Sequence, residues 1–406
     1  MIVRRFLQWV DTAPPDQRAE AVNALARAYL YSDLPDQERR EAEAAITVML
    51  DDPSPLVRQA IAEALASSPD APRPVIVALA AERSDVASLV LASSPVLTDS
   101  DLVDSVALGD EQAQVAIASR PKLSASVSGA LAEVGTCRAV IALLGNADAS
   151  VASVSLSRIL ERYGDQAEVR DALLLRPNLT VELRHAITIR ALVSAGTLDD
   201  DGGWLHPERL EQVIRDAREK AAVSLAFQSD VADVQRLVRY LRVTGQLTPA
   251  LLLRALLSRC TVLVEAALAE LTGHSLSRVS GLLHDWRGNG FAALYDKAGL
   301  PISLKAAFAS AVAALREAPM EDAHGLSRRM IERVLTACEH LEHGNTGFVI
   351  SLLRRYEAES AREDARALMS RLRRRAAPES VLDLSADDLV PAPVEVAFIQ
   401  HMKQAA

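Results

Sequence analysis

Three short segments of the chain share one pattern: Pro95-Val96-Leu97-Thr98, Pro121-Lys122-Leu123-Ser124 and Pro177-Asn178-Leu179-Thr180 all read Pro-x-Leu-Ser/Thr. A proline cannot continue a preceding helix, because it lacks an N–H and its ring clashes with the carbonyl four residues back. A hydroxyl three residues later is placed to cap the first turn of a new helix, while the leucine packs against it. Each segment is therefore a helix boundary. Pro69, Pro95 and Pro121 follow one another at intervals of 26 residues. The 56 residues from Pro121 to Pro177 leave room for one degenerate boundary near Leu144-Gly145-Asn146. A unit of that length holds two short helices, and such a pair buries its apolar face only against neighbouring pairs. The expected fold is all-α: an α-solenoid of short helical pairs over residues 51–198, followed by a less regular helical region.

The clearest unit runs from Asp51 to Leu65. Ser54 is expected at the N-cap with Pro55 at the first helical position, and Val57, Ala60, Ile61, Ala64 and Leu65 form one apolar face. This unit resembles a HEAT-type repeat helix. In that family the aspartate and the arginine after the valine help to tie adjacent repeats together, and Asp52 and Arg58 are the matching positions.

Half the residues are apolar but only 4% are aromatic, so the interior must be built from Ala, Leu, Val and Ile. Little of the alternating β-branched and aromatic pattern that marks strands is present. A formal net charge of −10 argues against a general polyanion binder. Lysine occurs only at Lys122, Lys220, Lys297, Lys305 and Lys403, and the preference for arginine reads as genomic base composition. Cys137, Cys260 and Cys338 are few, odd in number and far apart, which fits a reducing compartment. The apolar stretch after Arg4 and Arg5 is too short for a signal peptide, and no run reaches the length of a membrane span. The expected location is the cytoplasm, with no membrane contact.

Residues 1–50 read as capping helices that shield the first repeat interface. The segment from Gly196 to Gly203, with Asp199, Asp200 and Asp201, reads as a linker; its spacing lacks the alternating ligands of a calcium loop. Residues 204–376 read as a second helical domain, and 377–406 as an acidic, partly ordered tail. Within the second domain, glycines at 288 and 290 make a turn, Phe291, Leu294 and Tyr295 share one side of a short helix, and Gly299 ends it before Pro301.

Ala26-Arg27-Ala28-Tyr29-Leu30-Tyr31, the Asp51–Leu65 unit, and Gly290-Phe291 through Gly299-Leu300-Pro301 together resemble a bacterial, mainly alphaproteobacterial, family of HEAT-like helical proteins classed as a domain of unknown function. The resemblance implies a helical-repeat fold. It brings no reaction, ligand or cofactor with it.

The candidate sites have plain structural readings. Cys338-Glu339-His340-Leu341-Glu342-His343 would align Glu339 with His343 on a helix, but zinc needs three or four convergent ligands, and Cys338 continues the apolar stripe of Ile331, Val334 and Leu335. His274 with Ser275, and His284 with Asp285, have no nucleophile-elbow context. Arg371, Arg373, Arg374 and Arg375 close a run of arginines that could contact phosphate, yet Glu357, Glu359, Glu363 and Asp364 are interleaved at spacings that allow salt bridges. No catalytic residue, metal or cofactor is assigned. The function expected from the long helical surface is a non-catalytic scaffold that binds another protein. The alternatives are nucleic-acid binding through the terminal arginines and an enzyme or small-ligand sensor with a pocket near Trp286 and Tyr295.

Overall fold

The computed structural model describes residues 6, 8–10, 12–177, 179–198, 207–285, 289–317, 325–339 and 347–376. Among these residues the chain is all-helical, with no strand. The first half comprises α1 (Pro15–Tyr31), α2 (Asp36–Val48), α3 (Pro55–Leu65), α4 (Arg73–Ala80), α5 (Ser84–Ser93), α6 (Asp99–Leu108), α7 (Glu111–Ala118), α8 (Ala125–Val134), α9 (Cys137–Gly145), α10 (Ser153–Tyr163), α11 (Ala167–Leu174) and α12 (Val181–Leu198). Alternate helices pack together. One row runs α1, α3, α5, α7, α9 and α11, and a second runs α6, α8, α10 and α12. This two-row stack is the solenoid.

The Pro-x-Leu-Ser/Thr segments make its corners. Leu97, Leu123 and Leu179 are buried. The Thr98 hydroxyl accepts from the Asp101 N–H while the Asp101 carboxylate accepts from the Thr98 N–H, a reciprocal capping box at the start of α6. The Ser124 and Thr180 hydroxyls accept from Val127 and Leu183 at the starts of α8 and α12. The degenerate boundary falls where α9 ends at Gly145. At the Asp51–Leu65 unit one detail differs from expectation. Ser54 occupies the N-cap of α3, but its hydroxyl makes no cap bond; its N–H instead donates to Asp52 at 2.8 Å. The Val57 N–H, which that hydroxyl would cap, donates to the Ser54 main-chain carbonyl at 3.2 Å instead.

The second half comprises α13 (Pro207–Gln228), α14 (Val231–Val243), α15 (Pro249–Leu257), α16 (Thr261–Thr272), α17 (Leu276–Leu283), α18 (Asn289–Lys297), α19 (Lys305–Glu317), α20 (Arg328–Glu339) and α21 (Gly347–Ala376). Two apolar cores result, one formed from residues between Val10 and Ile187 and the other from residues between Val181 and Tyr356. They meet on α12, which gives Leu183 and Ile187 to the first and Val181 to the second. At the centre of the second core every residue of α15 from Leu251 to Leu257 is buried, including Arg254. Residues 196–198 of the expected linker continue α12 as helix. The rest of that linker and the acidic tail from residue 377 lie outside the described residues.

Candidate functional site

Side chains that reach from one repeat to the carbonyls of the one before it hold the array in register. Arg120 donates to the carbonyls of Leu91 and Ser94, both at 2.6 Å. Asn146, one 26-residue period later, donates to the carbonyls of Ala118 and Arg120 at 2.8 and 2.7 Å. Arg176 then donates to the carbonyls of Asn146 and Ala149 at 2.6 and 2.8 Å. These carbonyls lie at or just beyond helix ends, where intrahelical donors run out, so the contacts supply donors there; only the Asn146 carbonyl among them also accepts a main-chain bond, from the Ala149 N–H at 3.3 Å. Nearer the start, Asp52 accepts both Nε and Nη2 of Arg18 at 2.8 Å, and Arg58 reaches both the Asp52 carbonyl and the Glu82 carboxylate of the next unit. Burial works against ionisation of Asp52, but hydrogen bonds from Arg18 and the Ser54 N–H outweigh it and hold the carboxyl below its ordinary range.

With the register fixed, a groove opens between α4, α5, α6 and α7. Its volume is about 490 Å³. Leu91, Leu97, Ala87 and Ala113 line it, with Val77 and Leu108 on its rim. Leu108 is 89% exposed, a large apolar side chain presented to solvent at the end of α6. Four carboxylates share the lining: Glu82, Asp101, Asp104 and Asp110. Arg58 pairs with Glu82 and Arg73 with Asp101. Burial raises the pKa of Asp101, but bonds from Thr98 and Arg73 carry it below the usual range. Asp110 is likewise lowered by the hydroxyl of Ser84 and the N–H of Ala113, which it receives as the N-cap of α7. The exposed Asp104 has no ion-pair partner among the described residues. The groove is thus apolar at its base and anionic at its edge.

A second polar concentration lies inside the second core. Arg254 forms a two-pronged pair with Glu359 at 2.9 and 2.8 Å, approaches Glu219 at 3.5 Å, and stacks 4.5 Å from the ring centre of Tyr356. Tyr356 donates its hydroxyl toward Glu219 at 3.2 Å and toward the Ala250 carbonyl at 3.1 Å. Burial pushes Glu219 up, opposed by Arg254, and pushes the Tyr356 hydroxyl up with Glu219 reinforcing it. Lys220 with Glu363 and Arg355 with Asp216 extend the network. Its geometry fastens α21 to α13 and α15.

Phe291, Leu294 and Tyr295 are buried; Tyr295 packs 5.3 Å from Phe308 and donates to the Pro301 carbonyl at 2.7 Å. Burial raises the Tyr295 hydroxyl to about 12. Leu300 packs against the same core, and Gly299 turns the chain at φ +68°. Those aromatics fill the interior; Trp286 lies outside the described residues. Arg371 and Arg373 are exposed on the last turns of α21, while the side chains of Arg374 and Arg375 are not described. Two of the four interleaved acids of α21 turn inward: Glu359 meets Arg254 and Glu363 meets Lys220, while Asp364 is exposed. They do so because α21 presents that face to α13 and α15, where partners of opposite charge wait. Cys338 is buried with Ile331, Val334 and Leu335, and His340 and His343 lie outside the described residues. His274 sits beside Lys297 at 3.1 Å, and His284 turns its ring nitrogen onto the Ser280 carbonyl at 2.9 Å. Among the described residues no group of three potential metal ligands converges, and no helix is long and apolar enough to cross a membrane. The arginine and asparagine relay at 120, 146 and 176 was the feature sequence reasoning missed. Its signal was present, since Arg120 and Arg176 each stand directly before the proline of the repeated motif.

A family model described as an uncharacterised protein conserved in bacteria (DUF2336) matches residues 86–343. No curated protein and no solved structure matches the chain.

Proposed function

The chain belongs to this family of uncharacterised bacterial proteins, and since membership carries no activity, we propose from the groove itself that it is a non-catalytic helical-repeat adaptor for another protein. The segment that fits is basic and carries an apolar anchor. The observation that supports this reading most strongly is the exposed Leu108 beside Asp104 and Asp110, over a base of Leu91, Leu97 and Ala113. An exposed leucine costs solvation in the free protein, and covering it with an anchor side chain recovers roughly 25 cal/mol per Å² of apolar area. The carboxylates select arginine or lysine beside that anchor and speed encounter at low salt. Such an arrangement follows the helix-in-groove mode of peptide recognition.

The test is fluorescence anisotropy with labelled peptides that carry leucine or phenylalanine anchors flanked by arginines, alongside peptides with the arginines replaced by glutamates. Basic peptides bind with salt-sensitive affinity that Leu108→Asp and Asp104→Lys each reduce. Equal binding of both peptide sets, or binding that ignores both substitutions, contradicts the reading.

Nucleic-acid binding through α21 is the second reading, supported by Arg362, Arg366, Arg371 and Arg373, for which no ion pair is present among the described residues. The exposed Leu368, Met369 and Leu372 on the same turns fit a protein surface better than a phosphate backbone. Replacing Arg371 and Arg373 with serine leaves DNA and RNA retention unchanged if the adaptor reading holds.

A further inference from the structure

A second cavity, of about 150 Å³, lies between α12, α13, α14 and the start of α15. His185, Arg215, Arg218, Glu219 and Gln246 supply its polar lining. His185 is fully buried, packed edge-on 6.0 Å from the ring of Tyr240. Neither of its ring nitrogens has a hydrogen-bond partner of sound geometry, and the Nε of Arg218 and the Oε1 of Gln246 are also buried and unpaired. A buried polar atom left without a partner costs about 1–3 kcal/mol, so several around one cavity call for an occupant. Burial, with Arg218 adding to it, pushes the His185 imidazole down to about 4, against a small opposing effect of the Arg218 main chain. The ring is therefore neutral near pH 7, with one nitrogen to donate and one to accept.

The charges decide what kind of occupant fits. Among the described residues neither Arg215 nor Arg218 has an ion-pair partner. Glu219, the one carboxylate among the described lining residues, is already engaged by Thr248, Tyr356 and Arg254. That leaves two arginines facing a space of about the size that holds one benzene-sized molecule. Arginine matches the planar fork of a carboxylate. The unpaired Gln246 carbonyl requires a donor, which a bare carboxylate lacks and a hydroxyl supplies.

We propose that the cavity is a binding site for a small hydroxycarboxylate, whose carboxylate meets Arg215 and Arg218 and whose hydroxyl meets Gln246 and His185. The mouth lies beside Arg215 and Gly245, both exposed, so the site is reachable without unfolding. Occupancy would join α12, the helix shared by both cores, to α13 and α15, and would stabilise the fold by mass action.

Isothermal titration and thermal shift on the full chain test this with lactate, glycerate, propionate and inorganic phosphate as probes. Lactate or glycerate binds saturably and raises the melting temperature. Propionate, lacking the hydroxyl, binds about tenfold or more weakly. Arg218→Gln weakens lactate or glycerate about tenfold or more. Gln246→Leu removes the preference over propionate while leaving propionate itself bound. Where Arg218→Gln fails to fold, Arg215→Gln at the exposed mouth carries the same test. Three outcomes overturn the proposal: no saturable binding of either hydroxy acid, affinity unchanged by the arginine substitutions, or phosphate binding as tightly as lactate. The first two would mark the cavity as a hydrated polar void.

Discussion

Arg176 reaches back one repeat and donates to the main-chain carbonyl of Asn146 at 2.6 Å, and Asn146 in turn donates to the carbonyl of Arg120. Register along the array is thus set by a relay of side chains onto helix-end carbonyls, beyond what apolar stacking alone specifies. Burial lowers the pKa of Arg120, with Asp99 opposing, as expected of a cation held mainly by neutral carbonyls. Arg120→Met and Arg176→Met should each cost about 1–3 kcal/mol in urea unfolding, because two or more buried carbonyls lose their donor. Arg138→Met, at a largely exposed position, should stay within about 0.5 kcal/mol. Equal midpoints for all three would remove the relay from the account.

Asp52 joins the first helices to the array through Arg18. Its depressed carboxyl contributes stability that is present above the ordinary aspartate range and lost as pH falls through its own lowered value. Asp52→Asn should therefore destabilise by about 1–2 kcal/mol near neutrality. The gap between wild type and variant should close as the pH is taken below about 4. Chemical denaturation across a pH series reads this directly.

Inside the second core, Arg254→Met strands Glu219 and Glu359 and should cost about 3 kcal/mol or more. Changing Glu359 to Gln alongside it should recover part of that loss. A double-mutant cycle between Arg254 and Glu359 should show coupling of at least about 1 kcal/mol. A coupling near zero would mean that solvent already screens the pair.

His185 gives a pH dependence of opposite origin to that of a paired histidine. Its folded pKa of about 4 lies below the ordinary value of 6.5, so the unfolded chain takes up the proton first as pH falls. Stability is full above the ordinary value and declines between the two values, by about 3 kcal/mol in total. His185→Leu should flatten that part of the profile. An unchanged slope would show that the ring is solvated.

Much of the fold was legible because the boundaries use local chemistry. Proline, a buried leucine and a capping hydroxyl act within four residues, so Pro95, Pro121 and Pro177 announced the corners of the stack. Even the degenerate corner at Asn146 could be placed by counting. What the residues on each side of a corner do across repeats was not legible. Arg120 and Arg176 looked like part of a general arginine preference until their carbonyl partners, 26 or more residues away in sequence, were brought beside them. The same holds for Glu359 and Glu363, whose spacing suggested pairing within α21 although their partners lie on α13 and α15. His185 gave no sign at all, since a lone histidine on an apolar helix face carries no pattern, and only the convergence of α12, α13 and α15 shows its nitrogens facing a cavity. The groove depends on Leu108, which in sequence is one more apolar residue in a helical stripe.

The most direct measurement of the adaptor claim is site-specific photo-crosslinking in growing cells of the source bacterium. A benzophenone side chain replaces Leu108 in the groove, and a control probe replaces Val243, which is 82% exposed on α14. Crosslinked peptides are then mapped by mass spectrometry. The expected result is one protein captured at position 108 through a basic segment with an apolar anchor, lost when Asp104 is changed to Lys and absent from the control. Capture that is equal at both positions, survives the Asp104 change, or maps to an acidic or unrelated segment would contradict it, as would no capture at position 108.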